Sequence, residues 1–141
     1  MGSLPYPHEC LTTKSLLMAS DNSLRVVDNH AMAMYPNIEV LYQKRNTKNI
    51  YLAPEQCAII AEDRMGRREC TQKEDVFVGG MIMLECGLLD WQGDCYERNW
   101  EAINWEKVRQ RLTMIEGKYG WDIKNILEMM LEQKSKARIS W

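Results

Sequence analysis

The sequence predicts a mainly α-helical fold with a short β-hairpin at its N-terminal side. Three observations carry that expectation. Leu16-Leu17-Met18 and Leu24-Arg25-Val26-Val27 are two short strand-like runs on either side of an Asp21-Asn22 turn. The run from Val76 to Leu89 is apolar on almost every side, which marks a helix enclosed by protein. Two segments near the C-terminus, around Trp105 to Glu116 and around Asp122 to Gln133, repeat apolar residues at helical spacing.

The hairpin comes first because apolar residues on both sides of a polar turn pair most economically with each other. From Asn29 to Leu52 periodicity is poor, apart from the apolar patch Ile38 to Tyr42, so this stretch reads mostly as loop. Pro54 suits the first turn of a helix, where its missing N–H costs nothing, and Cys57 to Ala61 continue a short one. The charged, glycine-interrupted segment Glu62 to Glu69 reads as a solvated loop. The glycine-rich helix that follows Asp75 is too short to span a membrane. In the last helix Asp122 is placed to act as N-cap, with Ile123, Ile126, Leu127, Met130 and Leu131 forming one stripe. No internal repeat is evident.

With 141 residues, 45% hydrophobic and 27% charged, the chain fits one ordinary globular domain. Its 18 basic and 20 acidic residues leave a net charge of −2, which supplies no positive field for nucleic acid. There is no leader-like N-terminus and no apolar run near the roughly 20 residues needed to cross a bilayer, so a cytoplasmic, non-membrane chain is expected. Cys10, Cys57, Cys70, Cys86 and Cys95 are odd in number and form no CxxC pair, which favours reduced thiols over disulfides or zinc. His8 and His30 are too few and too far apart to suggest a metal site.

Two words go further than periodicity. Tyr51-Leu52-Ala53-Pro54-Glu55 resembles the APE motif that closes a protein kinase activation segment. Asp75-Val76-Phe77-Val78-Gly79-Gly80 resembles the DxWxxG motif that opens the kinase helix F, with Phe77 in place of Trp. Upstream, Val26-Val27-Asp28-Asn29-His30 stands where kinases carry DFG, and His8-Glu9-Cys10 to Ser15 stands where they carry HRDLKxxN. The register agrees with the family: Ser15 follows Cys10 by five residues, and Asp28 follows Ser15 by thirteen. The stretch Lys134 to Trp141 resembles the family's DPxxRPS stretch.

The resemblance implies a truncated protein kinase-like C-lobe over residues 1–141, lacking the N-lobe and the last helix. Residues 1–28 would be the catalytic-loop and DFG-like hairpin, 29–55 the activation-segment-like stretch and 56–141 the helical part. It also implies lost chemistry. A working kinase uses the catalytic-loop Asp for the substrate hydroxyl and the catalytic-loop Asn and DFG Asp for magnesium. Cys10 and Ser15 replace the first two, leaving Asp28 as the sole residual magnesium candidate, more simply an inherited turn residue. Glu9 replaces the arginine that would pair with an activation-loop phosphate, and Lys48 the threonine ahead of the substrate groove.

The family's scaffold positions are retained. Glu55 and Arg138 match an ion pair between the activation segment and a later helical corner. Asp75 matches the helix F residue that holds the catalytic-loop backbone, His8 packs there, and Gly80 completes the motif. The implied function is a catalytically inactive, pseudokinase-like subunit of a larger assembly, cytoskeletal or organellar, with no cofactor. The alternative is a C-lobe fragment of a longer serine/threonine protein kinase-like protein. A Cys10 nucleophile beside His8 is disfavoured because no third group orients the pair. In complete kinases helix F packs on helices that precede the catalytic loop. Exposing Val76, Phe77, Met81, Ile82 and Leu84 would cost about 1.5–3 kcal/mol per side chain, so another protein chain is expected to cover the helix around Phe77 to Leu84.

Overall fold

The computed structural model describes residues 11–26, 50–62 and 71–140. In these residues the fold is mainly helical, with two small antiparallel hairpins. In chain order the elements are β1 (Leu16–Met18), β2 (Leu24–Val26), α1 (Pro54–Ala61), α2 (Gln72–Leu88), β3 (Tyr96–Glu97), β4 (Ala102–Ile103), α3 (Trp105–Tyr119) and α4 (Trp121–Met130). Single 3₁₀ turns occupy Thr13–Ser15, Gly93–Cys95 and Ser135–Ala137.

The first hairpin pairs Leu16 with Val26, Leu17 with Arg25 and Met18 with Leu24. Asn22 takes φ 63° in its turn, a conformation asparagine tolerates well. The Asp21 carboxylate accepts from the Ser23 backbone and hydroxyl at 2.9 and 2.6 Å, and the hydroxyl bond first, then the backbone bond, holds its pKa below the usual value. Helix α1 opens on Pro54, and the Gln56 side chain reaches back to accept the Ala53 N–H at 2.7 Å.

Helix α2 lies at the centre of the core. Val76, Phe77, Met81, Ile82 and Leu84 are all at most 2% exposed. The side chains expected to need a second protein are therefore covered by this chain itself, which corrects the expectation that another chain covers the helix around Phe77 to Leu84. The physical reason is local: α3, α4 and the 135–137 turn pack directly on α2. Trp105 meets Phe77 edge-on at 6.2 Å, and Leu131 lies against Gly80 so closely that a Cβ there would come within 2.9 Å of it. Gly87 similarly admits Ile115, which a Cβ would meet at 2.7 Å. Helix α2 begins at Gln72, three residues before Asp75, and closes on Leu89 in the left-handed region at φ 53°.

Helix α3 is capped by Asn104, whose side chain accepts from the Lys107 N–H at 3.1 Å, and carries Lys118 in its last turn, where a cation suits the helix dipole. It runs on past Glu116 to Tyr119. Helix α4 departs from expectation at both ends. Gly120, at φ 90°, is the N-cap and Asp122 sits inside the first turn, so Asp122 is not the cap. The helix stops at Met130: the Met129 carbonyl accepts the Ile139 N–H at 3.2 Å instead of continuing the helical ladder, and beyond it the Glu132 and Gln133 carbonyls accept from the Arg138 guanidinium. The predicted stripe also divides: Leu127, Met130 and Leu131 are buried, whereas Ile123 and Ile126 are 38% and 41% exposed. Among the described residues no helix is long and apolar enough to cross a membrane.

Candidate functional site

The 55–138 joint is built from three directions. Glu55 is the second residue of α1, Lys73 lies in the first turn of α2, and Arg138 follows the last 3₁₀ turn. The Arg138 side chain is fully buried, and its two terminal nitrogens donate to the two Glu55 carboxylate oxygens at 2.8 and 3.0 Å. Its remaining donor capacity goes to backbone carbonyls: Lys73 at 2.6 Å, Glu132 at 3.0 Å and Gln133 at 3.4 Å. The guanidinium also lies 5.0 Å from the Phe77 ring centroid, and Lys73 Nζ donates to the Arg138 carbonyl. A buried cation is tolerable only when nearly every donor is satisfied, and Arg138 meets that requirement. The joint thus ties α1, α2 and the C-terminal turn to one another.

Asp75 is buried in the first turn of α2, next to buried Glu74. Gly80 lies one and a half turns further along, at the close approach to Leu131. The catalytic-loop residues that Asp75 was expected to hold, His8 and Cys10 with Glu9, lie outside the described residues, as do Asp28, Asn29, His30 and Lys48. Ser15, by contrast, is described. It is 1% exposed, its oxygen accepts the Thr12 N–H at 3.2 Å, and it stands 3.3 Å from the Thr12 hydroxyl. Its oxygen thus takes part in the local Thr12–Ser15 turn.

Sequence reading missed an aromatic latch on the other side of α2. Tyr96 donates its hydroxyl to the Leu52 carbonyl at 2.8 Å and accepts the Leu52 N–H at 2.9 Å, which pins the extended segment ahead of α1. Tyr51 donates to Glu85 at 2.6 Å and accepts the Gln92 N–H at 2.9 Å. Burial, then the Glu85 hydrogen bond, raises the Tyr51 pKa; burial and then the neighbouring Cys57 raise that of Tyr96. Trp100 closes the latch 4.1 Å from Tyr96 at the end of three consecutive left-handed residues, Arg98, Asn99 and Trp100. Such a run is costly without glycine, and here the burial of Trp100 offsets it. No local pattern in the sequence announced it.

Cys57 and Cys95 are buried free thiols and Cys86 is exposed. Burial, reinforced by Glu55, pushes the Cys57 thiol up to about 12. Among the described residues no group of three or more His, Cys, Asp or Glu side chains is placed to hold a metal ion. Compared with known proteins, the chain matches no protein-family model and no curated protein.

Proposed function

We propose that this chain is a catalytically inactive, protein kinase-derived C-lobe module that serves as a structural or protein-binding subunit. The observation that carries the reading is the Glu55–Arg138 joint. Helical periodicity gives no reason to pair these residues, 83 positions apart; the kinase-like words do, and the guanidinium and carboxylate meet in bidentate geometry.

A binding role is further supported by apolar side chains that the fold leaves in water. Leu17, Met18 and Leu24 of the first hairpin are 56%, 73% and 62% exposed. A two-stranded hairpin is marginal by itself, and apolar residues on its surface favour a covering partner over solvent. The test is native copurification of the full chain from its source, with masses measured for the intact assembly. A reproducible complex of fixed stoichiometry supports the proposal. A lone chain that transfers phosphate from ATP overturns it.

A further inference from the structure

Between α3 and α4 lies a groove of about 400 Å³, open to solvent along one side. Val108, Leu112 and Leu131 lie beneath it, each at most 5% exposed, and the apolar surface it presents comes from Met129, 40% exposed, and the half-buried Trp105. The α4 rim is polar and acidic. Glu132 on that rim has neither a hydrogen bond nor an ion pair to its carboxylate among the described residues, and the side-chain amides of Asn125 and Gln133 are likewise without partners. The Glu132 and Gln133 carbonyls are already taken by Arg138, so only their side chains remain to receive a ligand.

Charge decides what fits. Glu128, also on the α4 rim, is held among the described residues only by Lys124, one helical turn away at 2.8 Å, in a solvent-exposed pair that a better donor can displace. On the opposite rim Arg109 is matched by Glu106 at 2.9 Å, which lowers the Glu106 pKa first through that hydrogen bond. The groove therefore offers two carboxylates and two amides beside an apolar surface, with its one cation already neutralised. A phosphate-bearing ligand would face Glu128 and Glu132, in a chain whose net charge is −2.

We propose that the α3–α4 groove docks a short segment of a partner protein in which an arginine stands beside an apolar residue. The apolar side chain rests on Met129 and the exposed part of Trp105. The guanidinium takes Glu132 and Glu128, and its planar fork of five donors also reaches the Asn125 or Gln133 side-chain oxygen. Arginine suits this site better than lysine because several acceptors spread along one rim match a fork and not a point charge. This inference rests on the protein-binding reading and gives it a location and a partner chemistry.

The test is selection of a random dodecapeptide phage library on the full chain, followed by fluorescence anisotropy of the enriched peptides against wild type and Glu128→Gln/Glu132→Gln. Both substituted side chains are exposed, and an unchanged thermal midpoint confirms that the variant is folded. Enriched peptides should carry arginine next to an apolar residue, and the double variant should weaken them at least about tenfold. No enrichment, enrichment of acidic or purely apolar peptides, or equal binding by the folded double variant overturns the groove assignment. If native partners are retained equally by wild type and the double variant, the groove fails while the protein-binding role stands. If groove peptides bind as described but no native partner is found, the groove chemistry stands and the role fails.

Discussion

Replacing Arg138 by Met keeps most of the side-chain volume and removes the charge. The carboxylate of Glu55 is then left facing an apolar group, while three backbone carbonyls, of Lys73, Glu132 and Gln133, lose a charged donor. Breaking a buried ion pair from one side costs about 3–5 kcal/mol. Glu55 is still 28% exposed and recovers some hydration, which pulls the figure to the lower end, whereas the orphaned carbonyls push it up again. A loss of about 3–4 kcal/mol is expected, a large share of the roughly 5–15 kcal/mol by which domains are stable. Urea unfolding followed by far-UV circular dichroism measures it, for wild type, Arg138→Met, Glu55→Gln and the double variant. Glu55→Gln should cost less, about 1.5–3 kcal/mol, because the amide keeps one acceptor for Arg138. The two losses should be strongly non-additive, with a coupling of about 1.5–3 kcal/mol. If both single variants lose less than about 1 kcal/mol and their effects add, the joint does not hold the fold together and the reasoning built on it fails.

Two of the helical glycines, Gly117 and Gly80, should respond in opposite directions to added side chains. Gly117→Ala meets open space and should stabilise by about 0.5–1 kcal/mol, whereas Gly80→Val drives into Leu131 and Met130 and should cost about 1–3 kcal/mol; equal shifts in thermal midpoint would contradict the packing described. Cys57 makes stability fall in alkali. The unfolded thiol loses its proton near its ordinary value of 9.0, while burial and then Glu55 hold the folded one to about 12, so stability is full below pH 9 and declines as pH rises from 9 to 12. Cys57→Ala should make that decline shallower, measured by urea midpoints across the window, and an unchanged slope would reject the assignment. In the native protein iodoacetamide should label Cys86 before Cys57 and Cys95, as read by peptide mass mapping; labelling of Cys57 first would contradict its burial.

Local signals gave the first hairpin and the Pro54 helix, because the turn chemistry of Asp21-Asn22 and the N1 preference of proline act within a few residues. The central helix was legible in type, since a segment apolar all round has nowhere to go but inside. What covers it was not legible. Periodicity shows that Phe77 and Met81 are buried without showing that Trp105 and Leu131 bury them, and the deficit inferred by analogy with a larger domain did not exist. The end of α4 was misplaced because the Met129, Glu132 and Gln133 carbonyls are taken by Ile139 and Arg138, a few residues along the chain, in contacts that helical periodicity does not announce. The same arginine was singled out by motif resemblance, together with its carboxylate partner. The Tyr51–Tyr96 latch left no such trace, because it depends on a left-handed run at Arg98 to Trp100 whose sequence has no glycine.

The proposed function is that of a kinase-derived scaffold that carries out no phosphoryl transfer. Its most direct test is incubation of the purified full chain with radiolabelled ATP and magnesium, in parallel with Asp28→Ala, using a generic protein acceptor and the chain itself as substrates. The account predicts incorporation no greater than that of the Asp28→Ala variant. Magnesium-dependent incorporation that is abolished by Asp28→Ala would contradict it.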